Sequence, residues 1–80
     1  MSDKIDLATD LRRISMWMIK KNDLLVDQFL KRDLAMYGDM NVKIGKTKIG
    51  EWLQLILDRA NGREKAAERA LTAAVILSKS

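Results

Sequence analysis

The chain has 80 residues, a formal net charge of +4, and no cysteine, histidine or proline. This length fits one small domain spanning 1–80 and leaves no room for a second. Without cysteine there is no disulfide, thiolate metal site or thiol nucleophile. Without histidine there is no imidazole ligand and no usual general base near neutral pH. We therefore expect a non-enzymatic protein with no cofactor, no bound metal and no small-molecule substrate.

The N-terminal half predicts two helices, over 3–21 and 23–37. In the first, Leu7, Leu11, Ile14 and Met18 follow the i, i+4, i+7, i+11 spacing of one buried helical stripe. In the second, an apolar row recurs every four residues at 26, 30 and 34. The segment between them contains no glycine or proline to force a break. One continuous helix and two separate helices therefore both fit this half of the sequence.

Residues 38–46 form the connection to the C-terminal half. Gly38 is expected to end the second helix in the left-handed conformation that glycine adopts freely. Beyond it, alternating apolar residues could form a short strand, with Gly45 and Lys46 as a two-residue turn that pairs Val42 with Ile49. Because an isolated two-stranded ribbon of this size is marginal, a loop is the preferred prediction.

The C-terminal half predicts two further helices, over 47–60 and 63–78, which completes an all-α bundle of four helices. Gly50 inside the third costs about 1 kcal/mol relative to alanine, and close approach of another helix would explain it. The fourth helix is rich in alanine, and small side chains permit tight packing. Its predicted core stripe is Ala67, Ala70, Leu71, Ala74 and Leu77.

The first functional hypothesis is a self-associating protein-interaction module. One core in a chain this short rarely supplies more than about 3–5 kcal/mol of net stability, and no disulfide or metal is available to reinforce it. The end of the first helix carries more apolar surface than one stripe can bury. Methionine and tryptophan suit adaptable partner surfaces. The predicted partner-binding residues are Met16, Trp17, Met18 and Met36.

The second functional hypothesis is DNA binding through residues 43–54. Residues 43–80 hold eight basic and four acidic side chains, which accounts for the entire net charge. The spacing of the apolar residues Ile44, Ile49, Trp52 and Leu53 resembles the turn and second helix of a helix-turn-helix, although Asp39 stands where that pattern has a small residue. The resemblance implies that base contacts come from Lys46, Thr47, Lys48, Glu51 and Gln54, and a phosphate contact from Lys43.

The remaining motifs do not support an enzymatic site. The segment Gly45-Lys46-Thr47 lacks the first glycine of a nucleotide-binding phosphate loop, since that position is Met40. Pairs of acids four residues apart could in principle form a catalytic or magnesium site, but such pairs are common on solvated helix faces. They are Asp6/Asp10, Asp23/Asp27 and Glu64/Glu68. The longest uninterrupted apolar stretches are too short to span a bilayer, so we predict a cytoplasmic protein without a membrane partner.

Overall fold

The computed structural model describes residues 3–79, and among them the all-α bundle of four helices is confirmed. The helices are α1 (Asp3–Ile19), α2 (Asp23–Tyr37), α3 (Ile49–Leu57) and α4 (Arg63–Lys79). Two short strands, β1 (Lys43–Ile44) and β2 (Thr47–Lys48), lie between α2 and α3. The predicted bounds agree for α2 and nearly agree for α4, whereas α1 and α3 end earlier than predicted.

Helices α1 and α3 both end in a hydrogen-bonded reversal whose left-handed residue is not glycine. At the end of α1, Lys21 has φ +60°, its N–H bonds the carbonyl of Met18 at 3.1 Å, and the N–H of Asn22 bonds Trp17 at 2.8 Å. This is the bonding of a Schellman motif. The same pattern ends α3, with φ +51° at Arg59. The chain therefore turns between α1 and α2, and they are two helices.

Replacing Lys21 with glycine should stabilise the fold by about 0.5–1 kcal/mol, because a left-handed backbone costs an L-residue about 1–2 kcal/mol. The control is Lys20→Gly, one position earlier, where glycine should lower the free energy of unfolding by a similar amount. Urea unfolding of both variants measures the two effects. Equal destabilisation by both substitutions would contradict the assigned backbone conformation.

The segment predicted as a loop is a β-hairpin, so that prediction is wrong. Strands β1 and β2 pair antiparallel, with Lys43 opposite Lys48 and Ile44 opposite Thr47. The N–H of Ile49 donates to the carbonyl of Val42 at 3.0 Å, which extends the pairing to the alternative register considered from the sequence. The ribbon is stable here because it is not isolated: Ile44 is buried and both strands contact α3. Helix α3 consequently begins at Ile49 instead of residue 47.

The core contains the predicted α1 stripe and a shifted α4 stripe. Leu7, Leu11, Ile14 and Met18 are fully buried. In α4, Leu71 is 48% exposed, which contradicts its predicted place in the core. The stripe that faces the core is made of alanines and ends at Leu77; its members are Ala66, Ala67, Ala70, Ala73, Ala74 and Leu77. These small side chains let α1 lie close to α4, and the larger Leu71 falls at the outer rim of that contact.

Two glycines meet where the end of α2 contacts the start of α3. A Cβ on Gly50 would lie 2.6 Å from the carbonyl oxygen of Gly38, closer than real Cβ contacts come. The close approach suggested for Gly50 is therefore confirmed, with the end of α2 as the neighbour. Gly38 itself has φ −60° and is right-handed, so the left-handed conformation expected for it is wrong.

The four helices form a ring in which α1 and α4 are antiparallel neighbours. The hydroxyl of Ser15 donates to the carbonyl of Ala67 at 3.1 Å, and further toward the other end Arg12 donates to Ser78 at 3.3 Å. Helix α1 also packs on α2, and α3 packs on both α2 and α4. Thus α1 and α3 occupy opposite corners, and the hairpin lies beside α3. No helix within residues 3–79 combines the length and apolar character required to cross a membrane.

Candidate functional site

The outer side of the α1–α4 pair carries most of the exposed apolar surface. Within residues 3–79, eight large hydrophobic side chains are exposed, and five of them lie on this side. On α1 they follow the spacing i, i+11, i+14, and on α4 they are four residues apart, so each set shares one helix face. We call this surface the α1/α4 face, and its apolar residues are Ile5, Met16, Ile19, Leu71 and Val75.

A shallow groove runs along the α1/α4 face where the two helices meet. Its volume is about 270 Å³, and its floor is formed by Ser15 and Ala67. Ile19 and Leu71 form its apolar walls. Two carboxylates, Glu64 and Glu68, lie along its α4 side. The groove is thus apolar at the centre and acidic along one edge.

The α1 side of the same face is basic. Arg12 lies one turn before Met16, and Lys20 lies one turn after it, with its N–H bonded to the Met16 carbonyl at 3.0 Å. Arg12 donates to Ser78 of α4, and Glu68 lines the groove and pairs with Lys65 at 3.5 Å, so both charged groups lie close to the α1–α4 contact. The face therefore has basic groups on α1 and acidic groups on α4, among the apolar residues. Two copies placed face to face with α1 against α4 bring opposite charges together.

The four predicted partner-binding residues do not form one surface. Met16 is exposed on the α1/α4 face, whereas Trp17 points toward α2, with its ring centroid 4.8 Å from that of Phe29. Met18 is fully buried, so its assignment to a surface patch is wrong; the i, i+11 spacing from Leu7 already placed it in the stripe. Met36 is 60% exposed, but it lies on α2, outside the α1/α4 face.

The hairpin carries a separate cluster of basic groups. Lys43 and Lys48 are directly opposite each other on adjacent strands, and Lys46 lies in the turn; all three are exposed. Among residues 3–79, none of the three ammonium groups lies within 4.0 Å of a carboxylate. Lys43 and Lys48 also line a cavity of about 250 Å³ together with residues 38–42. We call Lys43, Lys46 and Lys48 the hairpin lysines.

The turn and second helix of a helix-turn-helix, which the spacing over residues 43–54 resembles, are not formed by this segment. Lys46, Thr47 and Lys48 lie in the hairpin, because residues 43–48 pair as a ribbon before α3 begins. Only Glu51 and Gln54 lie on α3, where the Gln54 amide donates to Asp58 at 2.9 Å. The predicted base-contacting residues are therefore divided between two elements.

One of the acidic pairs, Asp23/Asp27, holds arginines between helices. Asp23 bonds Arg63 at 2.5 and 3.1 Å, and Asp27 bonds Arg59 at 2.8 Å. The hydrogen bonds from Arg63 lower the pKa of the Asp23 carboxyl below its usual value. These contacts tie the α3–α4 turn to the start of α2. Within residues 3–79 no group of three or more acidic side chains is arranged to hold a metal ion.

The most unusual polar group of the fold is Asp33. Its side chain is completely buried at the contact of α2 with α1, and neither carboxylate oxygen has a hydrogen-bond partner among residues 3–79. Burial, together with the neighbouring Asp10, raises its pKa to about 8. Arg32 is engaged by Asp10 at 2.7 Å and comes only within 3.9 Å of Asp33. Asp33 lies seven residues after Val26 and three after Leu30, a helical spacing that places it on the same buried side.

Comparison of the chain with protein-family models, curated proteins and solved structures finds no match. Function is therefore inferred from the residues and their arrangement. Two surfaces have a distinct chemical character, the α1/α4 face and the hairpin lysines.

Proposed function

We propose that this protein is a non-enzymatic interaction module that self-associates through the α1/α4 face. The observation that carries the proposal is that five of the eight exposed large hydrophobic residues share that face, around a groove between the two helices. Contiguous exposed apolar surface bordered by polar residues is typical of interaction sites. Of the four partner-binding residues predicted from the sequence, Met16 is the one that belongs to the α1/α4 face.

The charge pattern favours a second copy of the chain as the partner. In a two-fold symmetric contact the same surface is used by both copies, so the surface must be complementary to itself. The α1/α4 face meets this requirement, because basic Arg12 and Lys20 on one copy can face acidic Glu64 and Glu68 on the other. The apolar residues between them then meet at the centre.

The size of the face predicts a dimer of moderate affinity. An interface of ordinary size covers about 800 Å² on each partner, about a sixth of this chain's 5005 Å² of accessible surface. Five apolar residues with a charged rim form a contact toward the lower end of that range. We expect a dissociation constant of roughly 1–100 μM, because contacts of this size lose much of their gross energy to the entropy of association.

Sedimentation equilibrium of wild type and the double variant Ile19→Glu/Leu71→Glu tests the proposal. The substitutions place two carboxylates beside Glu64 and Glu68 and remove apolar area, so the dimer should weaken at least tenfold. A matched control is Leu24→Glu/Met36→Glu, which introduces the same charge at two positions of similar exposure on α2.

The control variant should dimerise as the wild type does, and circular dichroism should show unchanged helical content for both variants. A wild-type protein that stays monomeric at about 1 mM contradicts self-association. Equal weakening by both variants contradicts the α1/α4 face as the contact. The cytoplasmic location predicted from the sequence stays a prediction.

A further inference from the structure

We propose that the hairpin lysines form a second binding surface, which contacts the phosphate backbone of duplex DNA without reading its sequence. This inference is independent of self-association, because the hairpin packs on α3, whereas the α1/α4 face is formed by α1 and α4. It assigns the contact with DNA to the hairpin instead of the second helix of a helix-turn-helix.

The first argument is the unbalanced repulsion within the hairpin. Lys43 and Lys48 are opposite each other, and directly opposed side chains on antiparallel strands have Cβ atoms about 4.5–5.5 Å apart. Like charges at this spacing destabilise a ribbon. No carboxylate among residues 3–79 lies within 4.0 Å to relieve it, although Asp39 lines the adjacent cavity. An external anion removes this repulsion.

The second argument is the match between the hairpin and the density of negative charge on DNA. Three lysines occur within six residues, one of them at a turn whose Gly45 has open space around it. Duplex DNA carries one negative charge per about 1.7 Å of helix axis, so three ammonium groups on one ribbon can be neutralised together. A two-stranded ribbon is also narrow enough to enter the major groove.

The third argument concerns what the hairpin lacks. Base contacts that read sequence come from arginine or lysine on guanine, from asparagine or glutamine on adenine, and from serine or threonine. Residues 43–48 contain no arginine, asparagine or glutamine, and a lysine ammonium lacks the rigid donor fork of arginine and binds phosphate as a point charge. The contacts should therefore be to the backbone, and affinity should depend on salt and hardly on sequence.

The experiment is fluorescence anisotropy of a labelled duplex of arbitrary sequence, titrated with protein at several salt concentrations. The test variant is Lys43→Gln/Lys46→Gln/Lys48→Gln. The control variant, Lys4→Gln/Lys31→Gln/Lys79→Gln, removes the same total charge from α1, α2 and α4. None of the three control lysines is in an ion pair within residues 3–79. Circular dichroism confirms that both variants keep their helices.

We expect wild-type dissociation constants of about 10⁻⁶–10⁻⁴ M at physiological salt and tighter binding at low salt. The hairpin variant should bind at least tenfold more weakly, and its slope of log affinity against log salt should fall by about 2–3, since each phosphate contact contributes about 0.9. The control should lose less than threefold. A second duplex of different sequence should bind with the same affinity. About 10 mM inorganic phosphate should weaken binding no more than sodium chloride of the same ionic strength does.

Four results would overturn the proposal. They are absence of duplex binding by the wild type at about 50 mM salt, equal loss of affinity in the two variants, strong preference for one duplex sequence, and displacement of the duplex by inorganic phosphate beyond the effect of sodium chloride at the same ionic strength. The last result would identify a site for a small anion instead of a polymer.

Discussion

Replacing Asp33 with asparagine is expected to stabilise the fold by about 2–3 kcal/mol at pH 7. Burial of this carboxyl raises its pKa from 3.8 to about 8, so at pH 7 it stays protonated in the folded state while the unfolded chain ionises. Over about three pH units this difference costs about 4 kcal/mol of stability. The buried amide of asparagine, which is only partly hydrogen-bonded, offsets about 1–2 kcal/mol of the gain.

The pH dependence of this effect has a definite sign. Below the unfolded-state pKa of 3.8 the Asp33 carboxyl is protonated in both states and costs no stability. Between pH 3.8 and about 8 the unfolded chain ionises while the folded state does not, so stability falls as the pH rises. The difference in stability between Asp33→Asn and wild type should therefore grow from pH 4 to pH 8 and level off above it. The lowered pKa of Asp23 acts at acid pH in both proteins and cancels in the comparison.

Urea unfolding of the two proteins at pH 4.5, 6, 7.5 and 9 measures this difference. Asp10→Asn is an informative companion, because it removes the neighbouring carboxylate and its bond to Arg32 while leaving Asp33 buried. A stability difference between Asp33→Asn and wild type that is the same at every pH would show that Asp33 does not titrate as described.

The second large effect is expected at Gly50. Alanine at this position should destabilise the fold by about 2 kcal/mol or more, although alanine has the better helix propensity by about 1 kcal/mol. The added Cβ would meet the carbonyl oxygen of Gly38 at 2.6 Å, and a backbone atom cannot rotate away as a side chain can. Helix α3 would have to move away from the end of α2, and overpacking of this kind typically costs 1–3 kcal/mol.

Gly45→Ala is a control that distinguishes the cost of a steric clash, expected at Gly50, from the cost of a left-handed backbone. Gly45 has φ +64° and nothing within 4 Å of the position its Cβ would take, so alanine there meets only the strain of a left-handed backbone. We expect a loss of about 1 kcal/mol in that variant. Chemical unfolding of both variants tests the comparison. An increase in stability for Gly50→Ala, as helix propensity alone predicts, would contradict the close contact between α2 and α3.

Periodicity in the sequence was sufficient to predict the helices, but not to predict which of their side chains are covered by a neighbouring helix. The spacing of Leu7, Leu11, Ile14 and Met18 defines a stripe that any helix must bury, and α1 buries it. The spacing does not reveal which neighbouring helix covers the residues beside a stripe. Ile19 and Leu71 are as apolar as the core residues, but no neighbouring helix covers them. The α1/α4 face could therefore not be identified before α1 and α4 were known to be neighbours.

The hairpin was predicted wrongly, and the burial of Asp33 was not predicted, because tertiary surroundings outweigh local preferences at both places. A ribbon of two residues per strand is unstable alone, and only burial of Ile44 against the bundle makes it stable. Asp33 follows the buried spacing of Val26 and Leu30, yet a charged residue type argues for exposure. In the fold Asp33 keeps the buried position that the spacing gives it, and its raised pKa keeps the carboxyl protonated at neutral pH.

The antiparallel pairing of α1 with α4 has a consequence for synthesis of the protein. During synthesis α1 leaves the ribosome before its principal partner α4, so Leu7 and Leu11 stay exposed to solvent until α4 has also emerged. Helices α2 and α3 cannot substitute, since α1 contacts α2 over a smaller surface and α3 lies at the opposite corner. We therefore expect the native packing of α1 to form only after α4 has been translated.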